Sequence, residues 1–276
     1  MKNHLLSYKN STIGYYLFGN GPELVLCFHG YGEDGRSFAF LEKYLGDKYR
    51  FIAIDLPFHG NTDWKPKEDF KSNDLEQIVN EILRQNNFKP LSSDFKTTLL
   101  GFSLGGRMAL SFYELQQPET INKLILLAPD GLKVNFWYWL STQTLPGKKL
   151  FHFTMKYPGW FFAFLKILNK LGFVNSSIFK FVNFYIGDKE ARELLYKRWV
   201  ALRKLKPRIS FIKSRISRLN TSIRLIYGKH DRIIIPARGE KFRKGIEQQC
   251  SITVIPSGHQ VLHEKHAEEI ASALLH

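Results

Sequence analysis

Three residues of this 276-residue chain combine types and positions that can do chemistry: Ser103, Asp231 and His259. Ser103 lies in Gly101-Phe102-Ser103-Leu104-Gly105-Gly106, after the apolar residues 97–100 and before residues 107–113, which read as a helix. A G-x-S-x-G turn between strand and helix strains the serine backbone and lifts its hydroxyl clear of the sheet. Serine is a poor nucleophile until a base takes its proton. A histidine serves as that base when a carboxylate orients it and stabilises its charged form. His259 follows the apolar residues 251–255 through Pro256-Ser257-Gly258, and Asp231 follows residues 223–227 through Gly228-Lys229-His230. Singly, Asp231 suits a turn-stabilising role and His259 an ordinary loop position. Jointly, three such residues at three strand ends, in the order serine, aspartate, histidine, point to acyl transfer. Asp130, which also follows an apolar strand, is a second candidate acid.

Attack on a carbonyl leaves an oxyanion that needs preorganised N–H donors. The Leu104 amide, directly after the serine, is one candidate. The Tyr31 amide, in His29-Gly30-Tyr31 at the end of the apolar residues 24–28, is the other. His29, and His59 in Leu56-Pro57-Phe58-His59-Gly60, read as residues that brace loops, and Asp55 as a strand-end hydrogen-bond partner. His29, Phe102 and Arg107 are also candidate substrate contacts. This chemistry needs neither a metal nor an organic cofactor, and the two cysteines, far apart in sequence, form no metal cluster.

The elements that must hold these groups alternate between strand and helix. Continuous apolar runs at 24–28, 51–54, 97–100, 123–128, 223–227 and 251–255 read as strands buried on both faces. Residues 4–8 and 12–18 read as a hairpin before them. Asn73 can cap an amphipathic helix through Gln85, with Leu75, Ile78, Val79, Ile82 and Leu83 on one face. The fold class is therefore α/β, with a mostly parallel central sheet flanked by helices. Each chemical residue sits at the C-terminal end of a strand, where such sheets bind ligands.

Charge is distributed unevenly. The formal net charge is +15, yet residues 132–220 hold 18 Lys+Arg against 3 Asp+Glu, leaving 22 of each sign elsewhere. The same stretch carries 19 of the 40 aromatic residues, so it reads as an insertion in an otherwise neutral domain. Its interleaved lysines and aromatics, as in residues 160–170, suit peripheral contact with an anionic membrane. Nucleic acid is not expected as a partner, since no recognition motif accompanies the charge. The amino-terminal residues have no apolar signal core, and two lone thiols fit a reducing compartment, so a cytoplasmic location is expected.

The motifs as a set resemble the α/β-hydrolase family: His29-Gly30, Asp55-Leu56-Pro57-x-His59-Gly60, Gly101-x-Ser103-x-Gly105-Gly106, Gly228-x-x-Asp231 and Gly258-His259. The resemblance covers about residues 20–131 and 221–276. It implies a core of residues 1–131 and 221–276, with residues 132–220 as a helical cap (lid). It also implies catalytic roles for Ser103, His259 and Asp231, and oxyanion roles for the Tyr31 and Leu104 amides. Relatives often carry glycine where this chain has Phe58. A serine at the turn sets the chain apart from epoxide hydrolases and haloalkane dehalogenases, which place an aspartate there. The expected activity is hydrolysis of a carboxylic ester with an apolar acyl or aryl group, a small-molecule substrate. Two alternatives accompany it. Gly105-Gly106-Arg107 is similar to the lyases that form succinyl-hydroxycyclohexadiene carboxylate in menaquinone synthesis, in which arginines bind a polyanion. The other alternative is a non-catalytic membrane-surface binding module on the same fold.

Overall fold

A computed structural model describes residues 1–65, 69–95, 97–133, 135–171 and 186–276. The chain divides into two compact units: Met1–Lys133 with Lys204–His276, and Val134–Arg203.

The first unit is built on an eight-stranded sheet in the order β1-β2-β4-β3-β5-β6-β7-β8. Lys2–Tyr8 (β1) and Ser11–Phe18 (β2) form the antiparallel edge, and β2 also runs antiparallel to Tyr49–Ile54 (β4). Glu23–Phe28 (β3), β4, Thr97–Phe102 (β5), Lys123–Leu127 (β6), Ser222–Gly228 (β7) and Cys250–Ile255 (β8) are mutually parallel. The central strands are apolar at successive positions because helices cover both faces; every residue of β5 is buried. Phe28 pairs with Gly101, and Phe102 with Leu127, so the chain leaves three neighbouring strands at one edge of the sheet.

Helix Ser72–Gln85 (labelled α2, after the short Leu41–Leu45, α1) buries Leu75, Ile78, Val79, Ile82 and Leu83, as its period requires. It starts before the expected Asn73 cap. The Asp74 carboxylate accepts the Lys71 N–H at 2.8 Å and closes the first turn from inside the helix. Leu104–Leu115 (α3) is buried along most of its length. Helix Ile209–Leu219, expected within an insertion ending at 220, packs on α3 in the first unit. Ile212 and Ile216 are fully buried there, and the Arg215 guanidinium donates to the carbonyls of Gln116 and Gln117. The second unit therefore ends at Arg203 rather than at 220.

That second unit contains Phe136–Gln143 (α4), Leu145–Lys156 (α5), Gly159–Lys170 (α6) and Lys189–Ala201. Asn135, Thr144 and Asp188 cap three of these helices by accepting backbone N–H groups. Its interior is aromatic: Trp199 meets Tyr138 at 5.1 Å and Phe151 at 5.4 Å between ring centroids. Many of the other aromatics do not pack inward as core residues would, and Phe136, Trp137, Trp139, Phe153 and Phe164 are exposed. Residues 172–185 of the expected insertion lie outside the described part. Among the described residues no helix is long and apolar enough to cross a membrane.

Candidate active site

Ser103 joins β5 to α3 with φ 49° and ψ −113°, a conformation that side chains other than glycine rarely adopt. Its backbone is held on both sides. The Ser103 N–H donates to the Leu127 carbonyl at 2.9 Å, and the Ser103 carbonyl accepts from Gly106 at 2.9 Å and from Asp130 at 2.8 Å. The turn also needs room. A Cβ on Gly105 would lie 1.7 Å from the Phe28 carbonyl oxygen, so only glycine lets α3 approach the end of β3 this closely. Strain at one residue persists because its surroundings over-determine it.

His259 lies between the other two residues. Its Nε2 is 3.0 Å from Ser103 Oγ and its Nδ1 is 2.7 Å from Asp231 Oδ2. An ionised carboxylate only accepts, so in the neutral ring Nδ1 carries the hydrogen and Nε2 is left as the acceptor facing the serine hydroxyl. The Asp231 side chain is wholly buried, and its second oxygen accepts the amides of Ile233 at 2.7 Å and Ile234 at 2.9 Å. The two loops that carry Asp231 and His259 are tied together. Lys229 N–H donates to the Ile255 carbonyl at 2.8 Å, and His230 N–H to the Ser257 carbonyl at 2.9 Å.

Leu104 opens α3, so its N–H belongs to the first helical turn, where backbone donors have no partner within the helix. Tyr31 follows β3, beside the end of β5, and its ring meets His59 edge-on at 5.8 Å. His29 is fully buried. Its Nε2 accepts the Leu56 N–H at 3.0 Å, which leaves Nδ1 to donate to the Gly30 carbonyl at 2.7 Å. These bonds lock the end of β3 to the end of β4, so His29 braces the loop. His59 is likewise buried and donates from Nδ1 to the Pro57 carbonyl at 2.9 Å. Asp55 accepts the amides of Gly35 and Asn61, each at 2.7 Å, and burial pushes its carboxyl up from the ordinary value. Phe58 adopts φ 63°, a left-handed position that suits the glycine often found there in relatives.

Phe102 and Arg107, the remaining expected substrate contacts, are also engaged within the scaffold. Phe102 is buried against Gly30, with its ring 5.5 Å from that of His259. Arg107 is buried in an ion pair with Asp130, and it is Asp231 rather than Asp130 that meets His259. Arg107 neutralises the residue whose amide holds the Ser103 carbonyl.

Glu33 is a site residue that sequence reasoning missed. One carboxylate oxygen accepts the Gly30 N–H at 3.2 Å and the other accepts Gln260 Nε2 at 2.6 Å. Glu33 thus links the Tyr31 loop to the residue next to His259. Burial pushes its carboxyl above the ordinary value, although hydrogen bonds and the nearby His259 oppose the shift. A carboxylate three residues beyond His29-Gly30 was the only local signal. Its partner is 227 positions away.

The model of the alpha/beta hydrolase fold family matches residues 23–266. A hydrolase of uncharacterised function from Bacillus subtilis (strain 168), YugF, is 25% identical over 254 residues, covering 89% of this chain and 86% of that protein. Two shorter matches name different reactions. A B. subtilis protein provisionally named 2-succinyl-6-hydroxy-2,4-cyclohexadiene-1-carboxylate synthase is 35% identical over 117 residues, 41% of this chain and 39% of that one. A pimeloyl-[acyl-carrier protein] methyl ester esterase from Legionella pneumophila (strain Corby) is 33% identical over 108 residues, 39% of this chain and 38% of that one.

Proposed function

Because this chain belongs to the α/β-hydrolase fold family, we propose that it is a serine hydrolase that cleaves a carboxylic ester through an acyl-enzyme. The observation that carries the reading is the hydrogen-bonded series from Asp231 through His259 to Ser103. Ser103 Oγ attacks the ester carbonyl while His259 Nε2 takes its proton, and Asp231 stabilises the imidazolium. The oxyanion is held by the amides of Leu104 and Tyr31. His259 returns the proton to the departing alcohol. Water then repeats the sequence on the acyl-enzyme and releases the acid.

The lyase reading has one observation in its favour, the match to the B. subtilis synthase. An esterase matches over a similar length at similar identity, so sequence likeness does not choose between them. Arg107 does. A polyanionic substrate calls for an uncommitted arginine, and this one is already paired with Asp130. We therefore favour an ester with an apolar acyl or aryl group as the substrate.

A fluorophosphonate probe tests the nucleophile. We expect labelling at Ser103, found by peptide mapping, and loss of short p-nitrophenyl ester hydrolysis in Ser103→Ala. Full turnover by Ser103→Ala would refute the assignment. An absence of both labelling and turnover in the parent would favour a non-catalytic binding module. Turnover of the menaquinone intermediate in place of esters would favour the lyase.

A further inference from the structure

Helices α5 and α6 of the second unit repeat one pattern. On α6, Trp160, Phe164, Ile167 and Leu171 recur at intervals of four, three and four, which places them within about 60° of one another around the axis. All four are exposed, at 39%, 48%, 57% and 63%. Lys166 and Lys170 are also exposed; Lys170 borders that stripe about 60° from Ile167, and Lys166 lies farther round the same side. Phe153 on α5 and Tyr157 just after it are exposed at 49% and 53%, with Lys149 and Lys156 exposed beside Phe153. The two stripes join: the Phe153 ring centroid lies 5.4 Å from that of Tyr157 and 6.4 Å from that of Trp160. The result is one continuous aromatic and aliphatic face edged by lysines. Contiguous exposed apolar faces rimmed by polar residues mark interaction sites.

We propose that this α5–α6 face is a docking surface for an anionic lipid bilayer. Aromatic and branched aliphatic side chains on one side of a helix, with lysines beside them, match the boundary between acyl chains and headgroups: the rings enter and the ammonium groups reach the phosphates. Charge selects this occupant over a second copy of the chain. Residues 134–203 carry 11 Lys+Arg against 3 Asp+Glu. Two such faces would repel each other, whereas an anionic leaflet attracts both. A 12-residue helix such as α6 is about 18 Å long, too short for the ~30 Å hydrocarbon layer, so it lies along the surface. The proposal does not depend on the hydrolase reading.

The test is co-sedimentation of the full chain with phosphatidylcholine vesicles, with and without phosphatidylglycerol, at low and high salt. We expect pelleting only with phosphatidylglycerol, weakened by salt. Replacing Lys149, Lys156, Lys166 and Lys170 by Gln should weaken partitioning about five-fold per lysine. Phe164→Ser with Ile167→Ser should abolish it. Both variants should keep the parent's circular dichroism and thermal midpoint, which shows that the loss is not unfolding. Equal pelleting with pure phosphatidylcholine, an unchanged lysine variant, or no pelleting by the parent would overturn the proposal. So would a dimer in sedimentation velocity that Phe164→Ser with Ile167→Ser dissociates.

Discussion

Asp231 presents only one of its two carboxylate oxygens to His259. Oδ2 takes the imidazole Nδ1 at 2.7 Å, while Oδ1 is fixed by the amides of Ile233 and Ile234. The carboxylate therefore cannot rotate away without abandoning two backbone donors, and the histidine tautomer is set by a rigid partner. Asp231→Asn keeps the shape but offers an amide that can hold the wrong tautomer. Under the proposed mechanism we expect kcat for a p-nitrophenyl ester to fall about 10⁴-fold with KM little changed. A loss under tenfold would leave Asp231 a structural role only.

Glu33 gives the site a pH signature. Burial lifts its carboxyl above the ordinary 4.5, so between 4.5 and the raised value the folded chain binds more protons than the unfolded one. Stability should therefore fall as pH rises through that window, with the full cost present above it. Glu33→Gln removes the titration, so urea denaturation across the window should show a flatter profile than the parent. The variant also loses one of the acceptors that join Gly30 to Gln260. Its kcat should drop by less than the ~10²–10³-fold typical of losing an oxyanion donor outright.

Two glycines beside the site should respond in opposite ways. A Cβ on Gly105 collides with the Phe28 and His29 carbonyl oxygens, at 1.7 Å and 2.8 Å, whereas a Cβ on Gly258 meets nothing within 4 Å. Gly105→Ala should cost about 3 kcal/mol or more, because backbone rather than a flexible side chain must move. Gly258→Ala should stay within about 0.5 kcal/mol of the parent. Chemical denaturation of both checks the contrast.

Arg107 separates the esterase from the lyase by a second route. As a buried partner of Asp130, 9% exposed in its side chain, its removal leaves a carboxylate beside the Ser103 turn without its counter-charge. Arg107→Met should destabilise the fold by about 3 kcal/mol, and KM for a neutral ester should change little. An arginine acting as an anion receptor would show the reverse: unchanged stability and a raised KM for an anionic substrate.

The sheet and the chemical residues at its strand ends were legible in the sequence. Apolar runs buried on both faces, and the glycine-serine turn between strand and helix, are local patterns written within a few positions. β3 to β8 accordingly lie where their apolar runs fall, with the chemical groups at their ends. Tertiary structure decided the partnerships. Asp130 and Asp231 look alike as carboxylates after strands, and only folding gives one to Arg107 and the other to His259. His29 and Phe102 sit next to the chemistry in sequence, yet packing turns them into supports. Glu33 meets Gln260 because both follow parallel strands, β3 and β8, whose C-terminal ends lie at the same end of the sheet. Helix Ile209–Leu219 shares the basic composition of the insertion, but burial of Ile212 and Ile216 assigns it to the first unit. Composition records what a segment carries. Which of its faces is covered depends on contacts between residues far apart in the chain, and no local period encodes them.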